Sequence, residues 1–170
     1  QLVQFGGDAF GGDALQLRRH LDERLHHPRR DREAQLRDEP CRTQHAQRIV
    51  PVGGTTTEIL YALGAQERIV AVDSTSFYPE EATSKPDVGY MRALSAEGIL
   101  AQKPDLILAE EGSGPPPVLE ILGASDVPMA MIPTPATADG IVQKIRDVGA
   151  AVGLSAGADA LAHKTARDLT

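Results

Sequence analysis

From residue 48 onward, short apolar runs alternate with segments whose apolar residues recur at helical spacing. Glycines and prolines separate these segments from one another. Strands that alternate with helices are typical of βαβ units, so we predict an α/β fold in which helices flank a parallel sheet. The ligands of such sheets lie beyond the carboxyl ends of the strands. The pattern predicts strands at 48–52, 68–73, 105–109 and 128–132, and helices at 55–63, from 95, at 118–122, at 139–152 and at 155–170.

Local signals predict where individual helices begin and end. Thr55 and Glu58 have the spacing of a capping box, in which each side chain binds a free backbone amide at the start of the helix. Gly64 stands where a glycine commonly ends a helix. Ser95 can cap the next helix, and Glu97 then lies in a first turn where the helix dipole favours an acid.

The start of the chain, which we call the leader (residues 1–47), differs in composition from the rest. Residues 1–48 contain nine Arg, no Lys, four of the five His and the single Cys. They are too polar to build a core, so we expect a segment that is disordered or non-native, for example a wrong-frame translation of a GC-rich gene. The alternative of a metal-binding tract is weaker because the histidines lack tight ligand spacing. No apolar stretch of the leader has the length of a signal-peptide core.

Composition excludes several classes of function. The chain has 170 residues, enough for one domain of ordinary size. A formal charge of -7 and a pI near 5.2 argue against a nucleic-acid partner or an anionic membrane surface, because both require a basic face. The sequence contains no apolar run of transmembrane length. Cys41 has no second cysteine for an internal disulfide, so cysteine usage does not indicate the redox compartment.

The turns after the predicted strands lack the motifs of common α/β enzymes. The run at 53–57, Gly-Gly-Thr-Thr-Thr, has no lysine and is not a phosphate-binding P-loop, and no dinucleotide motif follows the first strand. The hydroxyl residues at 74–76 lack a plausible histidine base, which argues against a Ser–His hydrolase. We therefore predict that the protein is not an enzyme. Glu110 and Glu111 follow a buried strand and either line the ligand crevice or form a solvated acidic loop.

A tyrosine and an arginine lie two residues apart just before the predicted start of a helix at Ser95. If the segment is extended, Tyr90 and Arg92 point to the same side and face one site. A guanidinium beside a phenol favours the phenolate, and a phenolate oxygen is a known axial ligand of haem iron. Taken alone, such a pair is more often a surface tyrosine beside a solvated arginine, and the surrounding sequence favours the binding role.

Residues 48–170 resemble the haem-binding periplasmic proteins of bacterial ABC haem importers. That family belongs to a wider group of iron-siderophore and cobalamin binding proteins. The block Gly-Tyr-x-Arg-x-Leu-Ser-Ala-Glu at 89–97 is the part that indicates haem. The other matching blocks are 48–54, 57–64, 72–76 with 78–79, 86–90, 94–98 and 103–106.

The resemblance implies a role for three residues. Tyr90 corresponds to the haem-ligating tyrosine, and Arg92 to the arginine that supports it. Glu97 corresponds to the glutamate with which the N-terminal lobe docks onto an arginine of the ABC permease. Haem would then be the transported ligand, the location periplasmic, and contact with the membrane would occur only through the permease.

The resemblance also implies a domain organisation. We expect residues 48–154 to form the N-terminal lobe of a two-lobe periplasmic-binding-protein fold and residues 155–170 to begin the long helix between the lobes. The C-terminal lobe would then be absent, and the chain would be a partial sequence. Two alternatives remain, a ferric-siderophore or cobalamin binding protein of the same fold, and an α/β enzyme fragment whose catalytic residues lie in the missing half.

Overall fold

The computed structural model describes residue 43 and residues 45–169. Within these residues, three strands and five complete α-helices follow one another in βαβ order, and the predicted parallel sheet flanked by helices is confirmed. The strands are β1 (Ile49–Val52), β2 (Leu106–Glu110) and β3 (Met129–Ile132). The helices are α1 (Gly54–Ala62), α2 (Ala96–Ala101), α3 (Pro116–Gly123), α4 (Ala138–Ala151) and α5 (Ser155–Asp168), with 3₁₀ turns at Gln66–Arg68 and Glu80–Ser84.

The sheet has the strand order β1-β2-β3, and both strand pairs are parallel. β1 and the central strand β2 are buried along their whole length because helices cover both faces. Side chains alternate between the faces: Ile49 and Leu106 join the core beneath α1, α4 and α5, while Val50 and Ile107 join the core beneath α2 and α3. All three strands end at one edge, which we call the carboxyl edge.

The predicted strand at 68–73 is wrong in part, because the segment forms only two isolated parallel bridges. The amide of Val70 donates to the carbonyl of Ile49 (3.0 Å), whereas the amide of Val72 donates to the carbonyl of Pro86 (2.9 Å). The segment therefore pairs first with β1 and then with residues 86–88. Pro86 has no amide hydrogen to continue a ladder, so the pairing stays short.

Two of the three predicted helix signals are confirmed. Gly64 has φ +75°, and the amides of Gly64 and Ala65 bind the carbonyls of Tyr61 (3.0 Å) and Leu60 (2.9 Å), which is a Schellman motif. The hydroxyl of Ser95 accepts the amide of Gly98 (3.2 Å). The predicted capping box is wrong: the cap of α1 is Gly53, and no side chain of the helix start makes a capping bond.

Of the leader, residues 1–42 and 44, including Cys41 and three of its four histidines, lie outside the described residues. Its last residues are part of the fold. Ala46 is buried in the core beneath α1, and the amides of Gln47 and Arg48 donate to the carboxylate of Asp105 at 2.8 Å each. The described structure thus begins before residue 48, where the composition changes.

Helix α5 packs closely against α4. A Cβ atom at Gly149 would lie 2.1 Å from the Cβ of Ala158, so only glycine allows the two helices to approach this closely. Arg146 and Asp159 form an ion pair across the same contact, at 3.2 Å. Among the described residues, no helix has both the length and the apolar character needed to cross a membrane.

Candidate functional site

A buried carboxylate organises the loops at the carboxyl edge. Asp73 is only 1% exposed. Its Oδ1 accepts hydrogen bonds from the amide of Gly53 (2.9 Å) and the hydroxyl of Ser76 (2.8 Å). Its Oδ2 accepts from the amide (3.1 Å) and the hydroxyl (2.6 Å) of Thr75. Asp73 therefore ties the loop that follows it to the end of β1.

The loop with the predicted haem ligand is held from two sides by backbone hydrogen bonds. We call residues 89–94 the Tyr90 loop. The amide of Ser74 donates to the carbonyl of Gly89 (3.0 Å), which links the loop to the segment that Asp73 fixes. On the other side, the amide of Gly114 donates to the carbonyl of Met91 (2.9 Å), and the amide of Leu94 donates to the carbonyl of Gly114 (3.0 Å). The backbone around Tyr90 is thus well supported.

The Tyr90 loop is a turn and is not extended, so the local geometry assumed for Tyr90 and Arg92 is wrong. The amide of Ala93 donates to the carbonyl of Tyr90 (2.8 Å), which closes a four-residue turn, and Gly89 enters the turn with φ +95°. Tyr90 is 47% exposed, and Arg92 is also exposed. Within the described residues, neither side chain makes a hydrogen bond or an ion pair. Both side chains are available to a ligand, and their roles remain predictions.

Glu97 lies in the first turn of α2, just after the Tyr90 loop. Its side chain is exposed. Ser95 caps the same turn, which leaves the carboxylate of Glu97 to interact with the helix dipole and with solvent. The position agrees with the expected helix start, and the docking role remains a prediction.

Sequence reasoning missed a second buried carboxylate at this edge. The Oε1 of Glu110 accepts from the amide (2.8 Å) and the hydroxyl (2.9 Å) of Thr56 and pairs with the Nζ of Lys144 (2.9 Å). Glu110 is 7% exposed and Lys144 is 5% exposed. We call Glu110, Lys144 and Thr56 the Glu110 cluster. Its carboxylate occupies the start of α1, where the free amides attract an anion.

The Glu110 cluster explains both the failed capping box and the glycine before α1. A Cβ atom at Gly53 would lie 2.2 Å from the Cδ of Glu110, so glycine is required for the approach of the carboxylate. Of the two interpretations offered for this acidic pair, the solvated one applies to Glu111, which is exposed. Glu110 instead has a structural role inside the protein. No motif within one segment indicates this, because Glu110 and Thr56 are 54 residues apart.

Exposed aromatic residues lie in the segments that follow Asp73 and Gly89. Three of the four aromatic residues in the described part of the chain are strongly exposed: Phe77 at 75%, Tyr78 at 69% and Tyr90 at 47%. Large aromatic side chains are usually buried or used in binding, so their exposure indicates a surface that contacts a ligand or partner. The described residues include no group of three His, Cys, Asp or Glu side chains that could hold a metal ion.

Tyr78 also lines an open groove of about 660 Å³ beside α1. Tyr61 and three glutamates also line this groove. Burial raises the pKa of Tyr61, and the nearby carboxylates of Glu81 and Glu67 raise it further. Tyr61 is therefore a neutral phenol at physiological pH and, in contrast to a tyrosine beside a cation, is poorly suited to bind a metal as phenolate. The other lining residues are Glu58, Ala62, Gln66, Pro79, Ser84 and Lys85.

Solved structures of binding proteins share this fold. The periplasmic heme-binding protein RhuT from Roseiflexus sp. RS-1, in apo form, is 42% identical with a TM-score of 0.68, and the match covers 70% of this chain and 46% of that one. A periplasmic heme-binding protein from Pseudomonas aeruginosa is 34% identical with a TM-score of 0.70, covering 73% and 44%. The periplasmic vitamin B12 binding protein BtuF of Vibrio cholerae is 30% identical with a TM-score of 0.65, covering 73% and 48%.

A curated relative is the vitamin B12-binding protein of Yersinia pestis (strain Pestoides F). It is 41% identical over 86 residues, which are 51% of this chain and 31% of that protein. The chain thus spans about a third of this relative and just under half of the solved structures that it matches. Residues 49–170 match the family described as periplasmic binding protein. Because this match covers well over half of the chain, the protein belongs to the periplasmic binding protein family.

Proposed function

We propose that the chain is the N-terminal lobe of the solute-binding component of an ABC transporter, and that it binds haem through Tyr90. The observation that carries the proposal is the state of Tyr90. The residue is 47% exposed at the carboxyl edge, while the backbone on both sides of it is held by hydrogen bonds. A ligand-binding residue needs this combination, since a fixed backbone lowers the entropy lost on binding. Solved structures named as heme-binding proteins support the same ligand.

The chemistry of the proposed contact follows from the charge of ferric iron. Ferric iron favours an anionic oxygen ligand, so Tyr90 would bind it as the phenolate. The metal supplies most of the required stabilisation as a Lewis acid, and a guanidinium in the same turn adds to it. Arg92 is placed one residue after Met91 in that turn and has no other partner in the described part of the chain. It can donate a hydrogen bond to the phenolate or to a propionate of haem.

Delivery is the second half of the proposal. Glu97 would meet an arginine of the permease, the protein would act in the periplasm, and the permease would be its contact with the membrane. The exposed position of Glu97 at the start of α2 supports this role, because a docking charge must be accessible.

A second candidate ligand is cobalamin, and a ferric siderophore is a related possibility of the same fold. The specific observation in favour of cobalamin is the 41% identity with a protein named as vitamin B12-binding. In that case Tyr90 would contact the ligand through its ring and would not bind the metal. The exposed side chain of Tyr90 could pack against either macrocycle.

Titration of the full-length protein with each ligand separates the candidates, with absorption as the readout for haem and tyrosine fluorescence as the readout for cobalamin. Ferric haem should give a high-spin spectrum with a tyrosinate-to-iron charge-transfer band, saturating at a defined stoichiometry. Cobalamin added under the same conditions should then give no saturable change in tyrosine fluorescence. The reverse result would assign cobalamin as the ligand, and a response to neither would exclude both macrocycles.

A further inference from the structure

The buried carboxylate of Asp73 takes no part in the ligand contact or the docking contact proposed above. Four hydrogen bonds satisfy it, and all four donors are neutral backbone amides or hydroxyls. Burying a carboxylate is costly unless hydrogen bonds replace its hydration. The hydrogen bonds that replace this hydration also fix the positions of the donors around the carboxylate.

The donors of Asp73 belong to two different parts of the carboxyl edge. Gly53 directly follows the last residue of β1 and caps α1, whereas Thr75 and Ser76 belong to the loop after Asp73 itself. A further bond from the amide of Gly54 to the hydroxyl of Thr75 (3.1 Å) strengthens the same link. The carboxylate thus fastens residues 74–76 to the rigid end of a buried strand.

The fastened segment in turn holds the Tyr90 loop. Ser74 stands between Asp73 and Thr75, both of which are fixed, and its amide donates to the carbonyl of Gly89 (3.0 Å). Tyr90 is the next residue after Gly89. We propose that Asp73 is the positioning residue of the ligand site: it orients the amide of Ser74, and this amide fixes the backbone from which Tyr90 reaches the ligand. The positioning of the loop rests on geometry alone, and its effect on haem rests on the proposed function.

Asparagine is the informative replacement at this position. Each carboxylate oxygen of Asp73 accepts from at least one donor, so the amide side chain in Asp73→Asn would have to turn its NH₂ group toward either Gly53 and Ser76 or toward Thr75. The side chain keeps its size but loses its charge and half of its acceptors. The matched control is Glu110→Gln, which makes the same chemical change at the other buried carboxylate of the same edge.

Amide hydrogen exchange of the full chain tests the positioning without any ligand. In Asp73→Asn, we expect the protection of the Ser74 amide from exchange to fall about tenfold or more relative to the core amide of Ile107. The reason is that the charged acceptor that holds Thr75, Ser76 and Gly53 is lost. The Thr56 amide should keep its protection. In Glu110→Gln the pattern should be reversed, with loss at Thr56 and none at Ser74. If Asp73→Asn lowers Ser74 protection no more than Glu110→Gln does, the inference is overturned.

A milder variant keeps the test valid if Asp73→Asn does not fold. Thr75→Val has nearly the same shape but lacks the hydroxyl that binds Asp73 (2.6 Å) and accepts the amide of Gly54 (3.1 Å). It should also lower the protection of the Ser74 amide, but by less than Asp73→Asn does. Unchanged protection of both Ser74 and Gly54 would again overturn the inference.

Haem titration of the same variants shows whether the positioning serves the ligand. Asp73→Asn should bind ferric haem about tenfold more weakly than the parent. Glu110→Gln should bind at parental affinity under conditions in which that variant is folded. Parental affinity in both variants, despite altered exchange at Ser74, would overturn the role at the ligand site. If the parent protein itself does not bind haem but the exchange pattern is as expected, the proposed function fails and the positioning of the Tyr90 loop by Asp73 stands.

Discussion

Two neighbouring regions at the carboxyl edge use their polar groups in opposite ways. In the Glu110 cluster the carboxylate, the ammonium and the hydroxyl are buried and bind one another. In the Tyr90 loop the backbone is bound on both sides, while the side chains of Tyr90 and Arg92 are exposed and unbonded within the described residues. Satisfied polar groups stabilise the fold and leave nothing for a ligand. A fixed backbone with unused side chains is the arrangement expected of a binding site.

This comparison predicts that the two regions respond differently to mutation. Changes in the Glu110 cluster should alter stability and leave ligand affinity unchanged. Changes in the Tyr90 loop should alter ligand affinity and leave stability unchanged. Asp73 combines features of both regions. It is buried like Glu110, and its proposed role is to position the Tyr90 loop.

The largest expected effect is that of Glu110→Ala on stability. The substitution leaves the ammonium of Lys144 buried without its partner and the amide of Thr56 without its acceptor. Breaking a buried pair in this way costs about 3–5 kcal/mol of the free energy of unfolding. Urea denaturation followed by circular dichroism measures the loss. The control is Glu111→Ala at the exposed neighbour, which should change stability by less than about 0.5 kcal/mol; equal losses at both positions would contradict the assignment of the ion pair.

Tyr90→Phe should have the opposite profile. The change removes one exposed hydroxyl, so the free energy of unfolding should stay within about 0.5 kcal/mol of the parent. The charge-transfer band of the ferric haem complex should disappear and affinity should fall, because the iron loses its anionic ligand. Tyr61→Phe is the control, since Tyr61 lies in the separate groove and its raised pKa keeps it protonated. A band that survives in Tyr90→Phe would exclude Tyr90 as the ligand.

Arg92 should contribute less than Tyr90, because it supports the ligand and does not bind iron itself. A charge-assisted hydrogen bond contributes roughly 1.5–3 kcal/mol, so Arg92→Ala should weaken haem binding by about one to two orders of magnitude. Arg92→Lys should restore only part of the affinity, because lysine lacks the planar fork. Spectrophotometric titration with ferric haem measures the affinity of each variant, and parental affinity of Arg92→Ala would show that Arg92 does not support the ligand.

The sequence predicts the fold more completely than it predicts the edge where the ligand would lie. Apolar runs such as that of β2 indicate their strands directly, since burial on both faces leaves a continuous apolar signal. The segment at 68–73 carries the same signal but pairs only briefly, because Pro86 interrupts the pairing from a distant position. The start of α1 is likewise decided by Glu110, which is far from it in the chain. Local patterns do not contain these long-range effects.

The exposed residues of the candidate site were predicted from the sequence, but its buried residues were not. Tyr90 and Arg92 are conspicuous in the sequence because their side chains suit haem chemistry. Asp73 did leave a local signal: an aspartate that accepts the amide two residues later, as it does from Thr75, is a common turn pattern. That pattern indicates the turn alone. Its further reach to Gly53 and, through Ser74, to Gly89 is visible only in the folded protein.

The smallest expected effect is that of Glu97→Ala, and it tests whether delivery is separate from capture. Glu97 is exposed in the first turn of α2, so the helix should lose only roughly a few tenths of a kcal/mol from the weaker dipole interaction. Haem affinity should not change, because neither region compared above includes Glu97. Transfer to the permease in reconstituted vesicles should slow, and Glu97→Arg should be slower still, since it places like charges face to face. The control is Glu120→Ala, another exposed glutamate on a helix, which should transfer haem at the parental rate. If both Glu97 variants also deliver haem at that rate, Glu97 acts only at the start of its helix and belongs with the residues that stabilise the fold.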